Sequence, residues 1–335
     1  MRAGFVFASI ASVLIAGVAR AEEAAPSTEG APPAAEGAAP AAASTEAAAP
    51  LPAPKKPPYS LPWQLRPVVP GNVVRSDTSL QFFKPKGADS GGTTIASTLL
   101  ASYKVMDNLA PLVRLGFVNL DPPVGDSGSA LLNPVVGAIY GMPLSPEMKL
   151  GLFLGIALPL GSGGGDAPKA ETAAALGAGM AARRYMDNAM FAVNFLTVYP
   201  GVGFAYVADG LTVQAEVTLL QLQRVKGDKV EPDKSKTNLT TGLHVGYFVM
   251  PELSIGAELN YQRWLSGPKK PAVETRNQLV DNLSVAIGPR VHLKVGENLW
   301  IRPGIAYARF LDKPMGDSDQ FDSNHVVQID IPVAF

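Results

Sequence analysis

The feature that constrains this chain most is a period-two alternation, sustained over strand-length segments from residue 73 to the end. In "LSIGAELNYQRWL", Leu253, Ile255, Ala257, Leu259 and Tyr261 share one face, and Ser254, Gly256, Glu258, Asn260 and Gln262 share the other. In "NLSVAIGPRVHLKV" one face carries Leu283, Val285, Ile287, Pro289, Val291, Leu293 and Val295, against Ser284, Ala286, Gly288, Arg290, His292 and Lys294. "MKLGLFLGIAL" sets Leu150, Leu152, Leu154, Ile156 and Leu158 against Lys149, Gly151, Phe153, Gly155 and Ala157. Such segments are β-strands. Alternation by itself leaves the wet face open, because a soluble sandwich buries its apolar face and a barrel in lipid exposes it.

The punctuation between strands is regular. Tight turns fall at 106–110, 145–149, 186–190, 208–212, 250–254 and 296–300. Longer connections rich in Gly, Pro, Asp and Lys fall at 84–93, 121–130, 161–171, 226–236, 266–274 and 312–322, with a seventh, very short one, "YPGV", at 199–202. Thirteen links make fourteen strands, or twelve or sixteen if one hairpin is read differently. An even number of antiparallel strands, with short turns at one end and longer loops at the other, is the layout of a closed transmembrane β-barrel. Strands of up to about 14 residues also suit a tilted crossing better than a globular sheet. Tyr103, Tyr140, Tyr185, Tyr199, Tyr247, Trp264, Trp300 and Tyr307 sit near strand ends, where interfacial girdles would lie. The segment 170–186 is alanine-rich enough for a helix, but Gly177 and Gly179 weigh against one, and it is read as strand.

The first 72 residues are different material. Residues 1–21 hold a basic Arg2, an apolar stretch at 5–18 and small residues at Ala19 and Ala21, the pattern of a secretory signal peptide. Residues 22–58 are alanine, proline and glutamate without aromatics, and read as a disordered periplasmic linker. Residues 59–72, "YSLPWQLRPVVPGN", are proline-rich yet apolar, with Trp63 as an anchor; they read as spacer or as a mouth or plug segment. The barrel is 73–335. There is no cysteine, so disulfides and thiol chemistry are excluded, and a net charge of −1 gives no electrostatic case for nucleic acid.

The sequence stops on "HVVQIDIPVAF", in which Val327, Ile329, Ile331, Val333 and Phe335 share a face. That pattern resembles the C-terminal β-signal of Gram-negative outer-membrane β-barrel proteins, the porin- and transporter-like class. The resemblance implies that Phe335 is read by the barrel-assembly machinery, that the last strand closes on the first near 73–83, and that the chain sits in outer-membrane lipid with linker and C-terminus in the periplasm. Pro332 departs from a fully hydrogen-bonded strand.

Many inward positions are small, Gly151, Gly155, Gly242 and Gly246 among them, which leaves internal space for water or a plug. Inward charges include Glu216, Glu258, Arg290, Lys294, Arg302 and Asp330, all but Lys294 at a similar height, with Glu258–Arg290 and Arg302–Asp330 as cross-strand pairs. They form either a constriction selecting small solutes or a structural salt-bridge lattice. The expected function is a passive channel or transporter for small solutes; the alternative is a structural or interaction barrel with a closed lumen. "GSGGGD" at 161–166 lacks the following Lys-Ser/Thr of a phosphate loop, and "DSDQFD", with Asp317, Asp319 and Asp322, lacks the glycine and distal Glu of a calcium loop. His244, His292 and His325 have no Ser and acid at a recognisable spacing. No catalysis, cofactor or metal is expected.

Overall fold

The computed structural model describes residues 59–266, 281–311 and 321–335. The strands are β1 (Val73–Pro85), β2 (Gly92–Ser102), β3 (Leu109–Asp121), β4 (Gly128–Leu131), β5 (Val135–Pro143), β6 (Met148–Ala157), β7 (Phe195–Ala208), β8 (Leu211–Arg224), β9 (Ser235–Met250), β10 (Leu253–Ser266), β11 (Asp281–Val291), β12 (Leu293–Lys294), β13 (Trp300–Ile301), β14 (Gly304–Phe310) and β15 (Phe321–Ala334). Every pairing is antiparallel. Twelve strands run in the order β1-β2-β3-β5-β6-β7-β8-β9-β10-β11-β14-β15, and β15 pairs back onto β1, with Val73 opposite Ala334. The sheet is a closed cylinder, which leaves no unpaired edge in lipid. The remaining three are short: β4 pairs with β3, and β12 and β13 form a flap against β15.

Burial decides which face is wet. Along β10, Ser254, Gly256, Glu258, Asn260 and Gln262 are buried, while Ile255 is 47% exposed and Leu259 is also exposed. The same inversion runs along β15, where Gln328 and Asp330 are buried and Ile329, Ile331 and Phe335 are exposed. Apolar side chains face out and polar ones in, as hydrocarbon on the outside requires.

The wall has twelve strands rather than fourteen, and both differences lie between β6 and β8. Residues 170–186 are not a strand: helix α1 (Ala170–Ala182) is followed by a turn and by the short helix α2 (Asn188–Phe191), which takes the place of the expected tight turn at 186–190. The alanine content prevails because Gly179 does not weaken a free helix; it lets α1 approach the wall, where a Cβ would lie 2.6 Å from Val118 and 2.7 Å from Phe191. "YPGV" is not a turn either. Tyr199, Pro200, Gly201 and Val202 continue β7 in register with Gly155, Leu154, Phe153 and Leu152 of β6, and Pro200 only interrupts the ladder towards β8. Tyr185 and Tyr199 consequently lie inside rather than in a girdle. The Asp209-Gly210 turn is a tight hairpin, with both residues at positive φ (50° and 79°).

Candidate functional site: the filled lumen

Two segments occupy the interior. The first, a strap at 59–72, crosses the short-turn end before entering β1. Trp63 is 1% exposed, and Leu65 and Val68 are buried with it. The wall grips the strap through its backbone. Glu258 accepts from the amides of Trp63 (2.7 Å) and Gln64 (2.9 Å), and Glu216 accepts from the amide of Arg66 (2.7 Å). Arg75 and Gln328 donate to the carbonyl of Trp63, and Gln214 donates to that of Arg66 (2.6 Å). Hydrogen bonds with one ionised partner are about twice as strong as neutral ones, so two carboxylates anchor most of the grip.

Inward glycines fit the strap's shape. A Cβ on Gly242 would lie 2.5 Å from Leu65, on Gly246 2.1 Å from Ser60, on Gly203 2.8 Å from Val68, on Gly141 2.4 Å from Pro70 and on Gly304 2.7 Å from Trp63. These glycines stand on β5, β7, β9 and β14, and together they cut a track around the inside of the wall. The space that small inward residues leave is therefore filled by chain.

The second segment, an insert at 158–194, carries α1 and α2. Leu176, Met190, Phe191 and Val193 pack with Val118, Leu120, Leu132, Phe195, Leu220 and Leu222 of the wall side into an apolar core inside the barrel. Between α1 and α2, Arg184 and Tyr185 adopt φ of 52° and 59°, a left-handed backbone that costs non-glycine residues about 1–2 kcal/mol each. That turn aims Arg183 and Arg184 at the charged wall.

From it runs a chain of alternating charges. Arg290 makes a two-pronged contact with Asp330 (2.7 and 2.9 Å), and Asp330 meets Arg75 (2.6 Å). Arg75 meets Asp77 (3.3 Å), Asp77 meets Arg183 (3.7 Å), Arg183 meets Asp187 (2.8 Å), and Asp187 closes on Arg114. Burial works against the Asp187 charge, yet Arg114 and Arg183 outweigh it and hold that carboxyl well below the usual carboxylate range. Leaving any member of such a chain unpaired is costly, about 3–5 kcal/mol for a broken buried pair.

Of the six charges singled out from the sequence, Glu216, Glu258, Arg290 and Asp330 are inward and buried. Lys294 is exposed on β12, and Arg302 is half-buried with its guanidinium 5.2 Å from the Trp300 ring centre. The partners differ from those expected: Arg290 pairs with Asp330 rather than with Glu258, which serves the strap and lies 3.9 Å from Arg184. Arg302 instead uses its carbonyl to accept from Arg290 (2.9 Å). Arg75 and Asp77 were legible in the alternation of β1; Arg183, Arg184 and Asp187 were not, since they sit on no strand. Val327, Ile329, Ile331 and Val333 share the outer face of β15; Phe335, one residue beyond the strand, is exposed, and its amide donates to the carbonyl of Asn72 (3.1 Å).

Two of the three histidines reach serines, His244 with Ser60 (3.3 Å) and His292 with Ser254 (2.9 Å), and His325 meets the Tyr307 hydroxyl (2.7 Å). His244 Nδ1 has no hydrogen-bond partner, so no carboxylate orients that pair. Asp317 and Asp319 lie outside the described residues, as do the signal and linker segments; among the described residues no cluster of three or more metal-ligating side chains forms. The glycines at 161–166 lead into α1 rather than joining two wall strands.

No protein-family model matches the sequence, and neither does any curated protein. Solved structures do match. An outer-membrane channel from Pseudomonas putida aligns with a TM-score of 0.50 at 11% identity, covering 82% of this chain and 98% of that one. The NanC porin aligns with a TM-score of 0.43 at 10% identity, covering 77% and 98%. With a closed antiparallel wall, an apolar exterior and a polar interior, the chain has the fold of an outer-membrane β-barrel.

Proposed function

We propose that the protein is a passive channel or transporter for small solutes in the outer membrane, without catalysis or cofactor, held closed here by its own strap. The observation that carries the reading is the way the lumen is filled. The strap at 59–72 is not a member of the wall's ladder, and it lies in glycine notches, held by hydrogen bonds to its backbone and by burial of Trp63, Leu65 and Val68. Its withdrawal would open the short-turn end of the lumen beside the insert and expose Glu216, Glu258, Arg290 and Asp330. The short turns and both strand ends β1 and β15 share one rim, which supports a periplasmic position for the strap and the C-terminus. The outward aromatic ending at Phe335 supports recognition by the barrel-assembly machinery, and the apolar outer face supports contact with outer-membrane lipid.

The second reading is a structural or interaction barrel that never conducts. It is favoured by the small size of the cavity between Arg66, Arg114, Phe153, Tyr199 and the insert, about 40 Å3. Planar-bilayer recording separates the two. A chain lacking 22–70 should give stepwise openings larger than those of the full chain. Sealed bilayers from both, with the barrel correctly inserted, would establish the structural reading.

A further inference from the structure

The strap carries one guanidinium into the lumen, and the wall receives it with a full set of cation ligands. Arg66 donates to a carboxylate oxygen of Glu216 and, at 2.9 Å, to the hydroxyl of Thr218. Its guanidinium carbon lies 4.4 Å from the centre of the Phe153 ring and 5.5 Å from that of Tyr199. The rings are 5.5 Å apart and tilted by 47°, so they form a corner with two π faces rather than a flat wall. A carboxylate, a hydroxyl and two aromatic faces converging on one point form a recognition set for guanidinium or alkylammonium groups. The residual cavity of about 40 Å3 opens beside the same corner, lined by Phe153, Tyr199 and Arg66.

Charge accounting adds a second argument. Arg75, Arg114, Arg183 and Arg290 share Asp77, Asp187 and Asp330 in the chain described above, whereas Glu216 stands outside it and takes its ion pair from Arg66. When the strap leaves, Glu216 stays on the wall but loses that cation, which leaves the carboxylate open to another positive group.

We propose that the corner formed by Glu216, Thr218, Phe153 and Tyr199 is a binding site for small solutes bearing a guanidinium or alkylammonium group, and that Arg66 occupies it as an internal competitor until such a solute displaces it. The assignment names the solute class of the channel proposed above and rests on that reading for its role in passage, though not for binding.

The test uses methylguanidinium and its neutral near-isostere N-methylurea, titrated calorimetrically into the folded full-length protein in detergent micelles. Arg66→Gln should bind methylguanidinium more tightly than the parent protein does, because the competitor is gone, and should discriminate against N-methylurea. Adding Glu216→Gln should weaken binding by at least about thirtyfold, as expected for removing one partner of a buried charged contact. Phe153→Leu in the Arg66→Gln background keeps the carboxylate and most of the apolar volume; it should weaken binding about fivefold. Equal affinity for the two probes, or affinity unaffected by Phe153→Leu, would overturn the site. In bilayers, methylguanidinium but not N-methylurea should raise the current through the parent protein. Binding without current would uphold the site and defeat the channel reading, which keeps the two failures distinct.

Discussion

The strap at 59–72 and the insert at 158–194 fill opposite ends of one lumen, and the wall holds them by different forces. The strap is gripped by two carboxylates, a few side-chain donors and a glycine track, with Trp63 lying over the Arg290 guanidinium at 4.4 Å. The insert is anchored by an apolar core and then pinned by Arg114, Arg183 and Asp187. Burial of several large side chains, at about 1.5–3 kcal/mol each, makes the insert part of the folded body. The strap buries Trp63, Leu65 and Val68 as well, but it joins the wall through β1 alone among the described residues, whereas the insert is tied at both ends, to β6 and β7, so the strap is the separable piece. Two plugs in one barrel therefore differ in how easily they leave, and that difference follows from how each is tied to the wall.

This comparison can be broken at its strongest point by Asp187→Ala. The change leaves the Arg114 and Arg183 guanidiniums buried without their shared partner, and should cost about 3–5 kcal/mol in urea unfolding of the micelle-bound protein. Phe191→Ala in the insert core comes next, at about 3–4 kcal/mol by the same measurement. Should both variants unfold like the parent, the insert would not be the anchored element.

On the strap side, Gly242→Val places methyl groups in the space of Leu65. It should evict the strap while the barrel stays folded, detected as labelling of a cysteine substituted at Ser60, a buried strap position that is unreactive in the parent background. Unchanged protection would mean that the track yields and the strap is as fixed as the insert.

Acid sharpens the same contrast. Because the folded-state pKa of Asp187 is depressed, its stabilisation is fully present above the ordinary aspartate pKa of about 3.9 and is lost as pH falls through the lower folded value. Stability measured from pH 7 down to pH 2 should therefore fall in the acid range, and Asp187→Asn should flatten that part of the curve. The smallest effect belongs to Lys294→Ala, an exposed site on β12 away from both plugs, where stability should change by no more than about 0.5 kcal/mol and ion selectivity should stay as in the parent.

The alternation along β10, β11 and β15 was readable directly because it is a local property: neighbouring side chains on a strand must point to opposite faces, whatever lies beyond them. The same holds for the turn at 208–212 and for the alternation that turns Glu216, Glu258, Arg290 and Asp330 inward. Tertiary structure alone settled the rest. Residues 170–186 carry conflicting local signals, and the contact of Gly179 with Val118 and Phe191 resolved them in favour of helix. Ion-pair partners depend on how far side chains reach across the lumen, so Arg290 found Asp330 and left Glu258 to the strap. Whether small inward residues enclosed water or chain could not be read from the wall at all. Space inside a closed cylinder belongs to every strand at once, and only the assembled fold shows what fills it.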